Sequence, residues 1–559
     1  MDETQKPPTG KRGPLGRLAR YGPFAAVAGA AIWLCASFGE PIAKDESHEW
    51  RMWIAGAGAA LLLLRLLQPL AKGLFGKIAI RAWLAALLSL CVFGAFNYYN
   101  FDREEAQGIG DGTDIAYYYL NTKYLQELGY FRLYAAMITA DKEHEDRHAS
   151  RLKRYRDLRD YQVKPVRVAL EHGAEIREQR FTPERWEQFK HDVDWFLAFP
   201  HFRSLRDYFF ADHGYNPPPT WAVPGLALAA SVPVERAKWL TLADVVLVLA
   251  ALAAVAWAFG PEVALWVLLF FVCTFSGRWP MLGQTFLRYD WSSALVIGVC
   301  LLKKGKWAMA GAALSYAALN RIFPAIFFFP WLVAALAEWW RTRRIPARHL
   351  RLAAGAAVVA VALAAGAVGL FGTEIISESA ENLSMHNASY SSHRVGLADL
   401  MVWNGELTPE EINADGGMRA KEREVQATRN LRLGIGLVTL VWIGLYIVRA
   451  RPPLHELIQL AAIPLFCVTT PQINYYNLRM ILVLWHGAHL DRSWFHRLGL
   501  ATLLLVEAAT QWSHVQGNAR FATTAITSWG LAIYFGVVLL WTGWQVAQSY
   551  RRAPAAPLP

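Results

Sequence analysis

Five carboxylates in one short polar stretch, Asp102, Glu104, Glu105, Asp111 and Asp114, are the first residues of this chain that could do chemistry. The run Asp111-Gly-Thr-Asp114-Ile-Ala-Tyr117-Tyr118-Tyr119 leads into a helical pattern that ends at Gly129-Tyr130-Phe131-Arg132-Leu133-Tyr134. A carboxylate at a helix start has two readings. It can satisfy free backbone N–H groups as a cap, or it can act as a general base, and the two roles can coexist at Asp114. A second pattern, His144-Glu145-Asp146-Arg147-His148, has the spacing of a zinc-binding HExxH helix. Its surroundings, Lys142, Glu143, Arg151 and Lys153, offer no apolar flank to bury a metal, so the sequence predicts a solvated charged helix and no metal. Asn382-Leu-Ser384 and Asn387-Ala-Ser389 are glycosylation sequons where a host modifies them.

The elements that must position these residues are membrane helices. The chain has 559 residues, 54% of them hydrophobic, 13% aromatic, with 24 tryptophans, a composition that favours a lipid-embedded body over several soluble domains. The mean hydropathy of only +0.20 averages very apolar spans with a charged segment between about Phe101 and Tyr215. Apolar runs near the length of a crossing appear at about 22–38, 50–70, 78–98, 238–258, 261–276, 289–303, 307–320 and 322–340. They continue at about 351–371, 431–449, 456–470, 477–490, 497–513 and 523–546, which makes an all-α polytopic protein with about fourteen transmembrane helices. The stretch from Trp307 to Trp340 is too long for one helix across the bilayer, and Asn320, Arg321 and Pro324 supply the break at its middle.

The net charge of +11 comes from Lys and Arg in short loops between apolar runs, which reads as topology and not as a nucleic-acid surface. With the N-terminus inside, alternate loops carry Lys72 and Lys77, then Lys303, Lys304 and Lys306, then Arg341, Arg343, Arg344, Arg348 and Arg351, and later Arg449, Arg451, Arg492, Arg497, Arg551 and Arg552. The positive-inside rule then puts both termini in the cytoplasm of a plasma (inner) membrane, in contact with membrane lipids. The N-terminal basic residues and the run from Tyr21 to Phe38 resemble a signal peptide, but the run is long enough to span and is read as the first helix. The chain divides into an N-terminal tail with three helices (1–99), an outer-face loop domain of helices (100–237), six helices (238–371), a second outer loop (372–430) and five helices with the C-terminus (431–559). The five cysteines, all in or beside apolar runs, suggest neither disulfides nor a metal site.

Several blocks, in one order and all on the outer side, resemble the membrane glycosyltransferases of the GT-C superfold, in particular the GT87-like (DUF2029) polyprenyl-phosphate-sugar-dependent mannosyltransferases. Asp114, Tyr117, Tyr118, Gly129 and Leu133-Tyr134 match the first block, and Tyr215-Asn-Pro217-Pro218-Pro219-Thr-Trp221 with Trp239 the second. Gly283-Gln284, Lys303-Lys304-Gly-Lys306 and Asn320-Arg321-Ile-Phe-Pro324 match a third, with Arg321 in place of a lysine. Asn387-Ala-Ser389 and Thr470-Pro471-Gln472-Ile-Asn474-Tyr475-Tyr476-Asn477 complete the series. The match runs from Asp114 to about Leu490 and departs from the pattern in two additional N-terminal helices and a charged insertion between Tyr134 and Tyr215.

The resemblance implies transfer of a sugar from a polyprenyl-phosphate donor to a lipid-linked, glycan or protein acceptor, without a cofactor. In that chemistry a carboxylate, Asp114 or else Asp111, takes the acceptor proton, and fixed cations stabilise the departing phosphate. Arg321, Arg288, Arg394 and Arg479 are the candidate cations; the alternative for an arginine at a helix end is to snorkel to headgroups. Tyr117, Tyr118, Gln284, Asn320, Asn387, Gln472, Asn474 and Asn477 are candidate substrate contacts, though polar residues at helix ends also hold helices together. The competing readings are an O-antigen ligase or polymerase and a membrane transporter. A transporter should show two similar halves and ionisable groups inside its helices, whereas this sequence keeps its acids in loops.

Overall fold

The computed structural model describes residues 29–30, 32–33, 44–66, 73–99, 112–275, 277, 286–388, 390–414 and 416–552. Among them the chain is helical apart from one two-stranded antiparallel hairpin. Six helices are long and apolar enough to cross a membrane: Ile80–Tyr98, Val234–Phe259, Phe323–Thr342, Ala347–Phe371, Arg429–Ala450 and Arg520–Arg551. Their outward faces are apolar, as at Val358, Val361, Val438, Val441 and Leu540, while Arg479, Glu507, Gln511 and Thr527 are buried between helices. A soluble protein does not present an apolar belt of this extent to water; this is the surface of a helical membrane protein.

The other expected crossings take different forms. Lys44–Arg65 and Trp494–Val515, 22 residues each, pack side by side and bury Arg51 and Glu507. Asp290–Lys303 and Trp307–Asn320 are only 14 residues each, about 21 Å long. Pro261–Cys273 and Leu454–Val468 are also short. Most of the run at 22–38 lies outside the described residues. The long apolar stretch after Trp307 does break in the middle: the helix stops at Asn320, Arg321 is extended (φ −149°, ψ 120°), and a 3₁₀ turn over Phe323–Phe327 starts the next helix. Trp307–Asn320 lies against Ala347–Phe371 at very close range, because a Cβ on Gly311 would come within 2.0 Å of the Leu352 carbonyl and one on Gly355 within 1.8 Å of that of Ala308. Small residues at such contacts let helix backbones touch.

The segment after Asp114 folds around an aromatic core of its own, including Tyr117, Tyr134, Phe189, Phe196 and Phe209. Its helices are Leu133–Glu143, Val166–Arg180, Pro183–Leu197 and Pro200–Phe209. Pro183–Leu197 shows how local sequence builds this domain. Thr182 caps it by accepting from the Arg185 N–H at 3.2 Å, with Pro183 in the first turn, and Trp186, Phe189, Val193 and Phe196 recur at helical spacing on its buried face.

The charged middle is less helical than the sequence suggests. Arg154–Asp157 pairs with Gln162–Pro165, and a loop over 158–161 closes the hairpin. Tyr155 and Asp157 point inward, and Asp157 gathers Arg159 and Lys164 at 2.7 and 2.8 Å. The helix on which the HExxH spacing depends ends at Glu143, before either histidine can share a face with the other. Asp141 takes the N–H groups of Arg147, His148 and Ala149 at 2.7–2.9 Å, and the His148 ring bonds the Leu197 carbonyl at 2.9 Å. These residues terminate a helix rather than line a solvated one. The sequon residue Asn382 is likewise buried, donating to the Tyr215 carbonyl and accepting from the Tyr161 hydroxyl, so the folded protein does not present it to a glycosylating enzyme.

The domain docks on one end of the membrane helices. Trp221 Nε1 donates to the Leu287 carbonyl at 3.1 Å and Thr220 Oγ1 to the Leu319 carbonyl at 2.6 Å. At Gly129 (φ +54°, ψ −145°) the chain turns so tightly that a Cβ would lie 2.0 Å from Glu378 Oε2, the carboxylate that receives the Tyr130 N–H and pairs with Arg132. Gly129→Ala should therefore strain the backbone and break this contact at once, costing roughly 2–4 kcal/mol. Thermal unfolding of the purified protein checks this; a melting temperature like that of the parent would show that the turn can relax.

Candidate active site

The charged residues of interest converge where the aromatic domain after Asp114 meets the helix ends. Asp114 is the third residue of a short helix, Gly112–Ala116, that widens at once into a π-helical turn over Tyr117–Asn121. Such turns shift the direction in which successive side chains point. Here Tyr117, Tyr119 and Leu120 are buried in the aromatic domain while Tyr118 is half-buried, its ring edge-on to Trp221 at 5.2 Å and to Tyr215 at 6.3 Å.

Asp114 Oδ2 accepts from Arg288 Nη1 at 2.5 Å, joining segments 174 residues apart. Arg288 is held by an unusual backbone. Leu287 before it is left-handed (φ 55°), a conformation that costs a branched residue energy and is found where function over-determines the chain. The carboxylate of Asp244, at the start of Leu242–Phe259, takes the N–H groups of Arg288 and Tyr289 at 3.0 and 2.8 Å. These two donors open the Asp290–Lys303 helix and would otherwise be unsatisfied.

Asp290 begins that helix and binds its partner helix at the same end. Its Oδ2 accepts from the Tyr316 hydroxyl at 3.0 Å and from Asn320 Nδ2 at 3.1 Å. Arg321 follows Asn320 and donates to its carbonyl at 2.8 Å. Only 7% of Arg321 is exposed, yet its Nε has no hydrogen-bond partner among the described residues, nor has Asn320 Oδ1. The Arg321 guanidinium lies 5.7 Å from the Tyr475 ring, and it interacts electrostatically with Tyr118, Asp290 and Arg288.

A third arginine is brought in by a backbone stitch. Val395 N–H bonds the Pro471 carbonyl and Ile473 N–H the His393 carbonyl, at 3.0 and 2.8 Å, so that Arg394 pairs with Gln472 across two loops. Arg394 donates to the carbonyls of Thr470 and His386 at 2.7 and 3.3 Å and interacts electrostatically with Tyr475. Asp114, Tyr118, Arg288, Asn320, Arg321, Arg394 and Gln472 thus belong to one neighbourhood.

Other candidates lie elsewhere. The Tyr117 ring stacks on Phe209 at 4.5 Å inside the aromatic domain, its hydroxyl donating to the Phe209 carbonyl. Arg479 pairs with Glu507 at 2.5 Å in the core of the helix bundle, both side chains at least 98% buried, and Glu507 also accepts the Phe275 N–H at 2.9 Å. Asn477 is buried and Asn474 half-buried on the same turn as Tyr475, and Asn387 lies on the Glu374–Ala388 helix. Asp111 and Gln284 lie outside the described residues.

Asp244 and Asp290 escaped the sequence reading, which kept acids in the loops; with Glu507 they are buried acids on helices. Their signal was present, since a carboxylate at the head of an apolar run implies a partner there. Chemically, the cluster offers a partly exposed carboxylate paired with one guanidinium and, through Tyr118 and Tyr475, two more guanidiniums in the same neighbourhood, that of Arg321 with an unsatisfied buried N–H. That set suits an anion that must be bound and a proton that must be removed beside it. No protein-family model, curated protein or solved structure matches this chain.

Proposed function

We propose that this protein is a GT-C-like glycosyltransferase that moves a sugar from a polyprenyl phosphate to a lipid-linked, glycan or protein acceptor on the outer face of the plasma membrane. In this reading the chain makes about fourteen crossings, counting the short and charged helices, and both termini are cytoplasmic. The single observation that supports it best is the ion pair of Asp114 with Arg288, which itself lies within electrostatic reach of Arg321, so that three distant parts of the chain converge.

The acceptor hydroxyl attacks the anomeric carbon as the bond from that carbon to the phosphate oxygen breaks, and its proton goes to Asp114. Oδ2 of Asp114 faces Arg288, so Oδ1, which has no partner among the described residues, is the oxygen that receives the proton. Arg288, with Arg321, meets the charge that builds on the leaving phosphate. The unsatisfied Nε of Arg321 supports its part, since a phosphate oxygen would relieve a buried donor of its desolvation cost.

The test is binding of radiolabelled undecaprenyl-phosphate mannose and glucose to the full chain in nanodiscs. Arg321→Ala should weaken binding roughly ten- to a hundredfold, and Arg321→Lys less, because lysine keeps the charge and loses the planar fork. Equal binding by Arg321→Ala and the parent would remove Arg321 from the site and with it the donor assignment.

A further inference from the structure

A second polar cluster lies on the outer-domain side of Arg394 and takes no part in the chemistry above. Asp212 and His213 follow the Pro200–Phe209 helix, with Asp212 Oδ1 3.8 Å from His213 Nδ1. The His213 ring stands edge-on to Tyr161 at 4.8 Å and to His386 at 5.7 Å. Both Asp212 and His213 side chains remain partly open, 38% and 29% exposed, although Tyr117, Tyr134 and Tyr161 all lie within electrostatic reach of the Asp212 carboxylate. Groups so surrounded and yet accessible line a recess rather than an outer surface.

Three features separate this recess from ordinary packing. Tyr161, the last residue of the hairpin loop, is left-handed (φ 56°), where glycine or asparagine would close the turn without strain; the strained tyrosine instead delivers its ring to His213 and its hydroxyl to Asn382. His213 Nε2 has no hydrogen-bond partner among the described residues. Burial, followed by the nearby Arg394 and His213, pushes the His386 imidazole down to about 4, so it is neutral at pH 7 and both gives and accepts a hydrogen bond. Burial opposes ionisation of Asp212, but His213 outweighs it and holds that carboxyl below its ordinary value. The recess therefore presents one fixed carboxylate, two imidazoles and an aromatic edge.

We infer that Asp212, His213, Tyr161 and His386 form the subsite for the acceptor, and that the acceptor is a polyhydroxylated sugar rather than an apolar lipid. Sugar hydroxyls pair with carboxylate and imidazole in both donor and acceptor sense, whereas an acyl chain would need an apolar groove. The position fits. Arg394 touches this cluster through the His386 carbonyl and the phosphate cluster through Tyr475, so a sugar in the recess lies beside an anion held by the arginines, on the side facing water. The assignment rests on the glycosyltransferase reading for the word acceptor, though not for sugar binding itself.

Saturation-transfer NMR on the full chain in nanodiscs, with α-1,6-mannobiose, maltose and lactose as probes, tests it. The parent protein should bind at least one disaccharide, and Asp212→Asn and His213→Gln should each weaken that binding at least fivefold. Tyr161→Phe, which keeps the ring and removes only the hydroxyl bond to Asn382, serves as a milder variant should the others unfold. Undecaprenyl-phosphate-sugar binding should be unchanged in all three. Failure of all three disaccharides to bind, or equal binding by the Asp212 and His213 variants, overturns the subsite. Loss of the lipid donor in Arg321→Ala with sugar binding kept would leave both assignments standing, and retention of the donor in that variant would remove only the donor reading.

Discussion

Asp114→Asn should lower transfer by roughly 10²-fold or more, with donor binding and thermal stability close to those of the parent. Asparagine starts a helix about as well as aspartate, so a purely structural role in the first turn would survive the change. What asparagine lacks is a basic oxygen. Its effect on Arg288 separates two further possibilities. If Asp114 serves mainly to hold Arg288 in place, the loss should appear as weaker donor binding; if it takes the proton, the loss should appear in the rate at saturating donor. Single-turnover transfer from radiolabelled polyprenyl-phosphate sugar measures both. Asp111→Asn, three residues earlier in the chain, is the comparison, and full activity in both single variants and in the double variant would discard a carboxylate base in this loop.

The second large effect concerns stability and distinguishes Arg479 from the other arginines. Glu507→Ala leaves the Arg479 guanidinium buried without its 2.5 Å partner and frees the Phe275 N–H, so the protein should lose about 3–5 kcal/mol. An apolar pair of similar volume, Arg479→Met with Glu507→Leu, should recover much of that loss, because two buried charges removed together leave neither uncompensated. Thermal unfolding in detergent, read by exposure of a buried cysteine such as Cys273, checks both. A stable Glu507→Ala protein that no longer binds the polyprenyl-phosphate donor would return Arg479 to the phosphate site.

Hydropathy made the long apolar helices legible, and it made the break at Asn320-Arg321 legible because proline and paired polar residues leave a helix few alternatives. Asp114, Tyr118 and Arg321 could be nominated from residue type and order. The partner of each could not be. Arg288 meets Asp114 across 174 residues, and Arg394 reaches Tyr475 only because two loops pair through their backbones, a contact for which side-chain chemistry leaves no trace. Arg479 shows the converse: an arginine at the end of an apolar run looks the same in sequence whether it meets a phosphate or a buried glutamate in another helix, as it does at Glu507. The hairpin at 154–165 was hidden by charge, since Arg and Lys favour helix on propensity while the inward alternation of Tyr155 and Asp157 spans too few residues to outvote them.

The shortness of the Asp290–Lys303 and Trp307–Asn320 hairpin has a consequence for how the reaction meets its surroundings. Two helices of about 21 Å stop well short of the roughly 30 Å hydrocarbon thickness, so on the proposed placement Asp290 and Arg321 sit several ångströms beneath the plane where lipid headgroups rest. Irregular backbone at such a depth is tolerable only when protein encloses it, and the outer domain supplies that roof through Trp221 and Tyr118. A phosphate that reaches the arginines has exchanged its hydration for fixed charges in a poorly polarisable setting, where attraction is strong and bulk ions hardly penetrate. On the proposed glycosyltransferase reading, capture of the donor would thereby be insulated from the ionic strength of the medium, and the membrane, by holding the prenyl chain at a fixed depth, would become part of the device that aligns the sugar with its attacker.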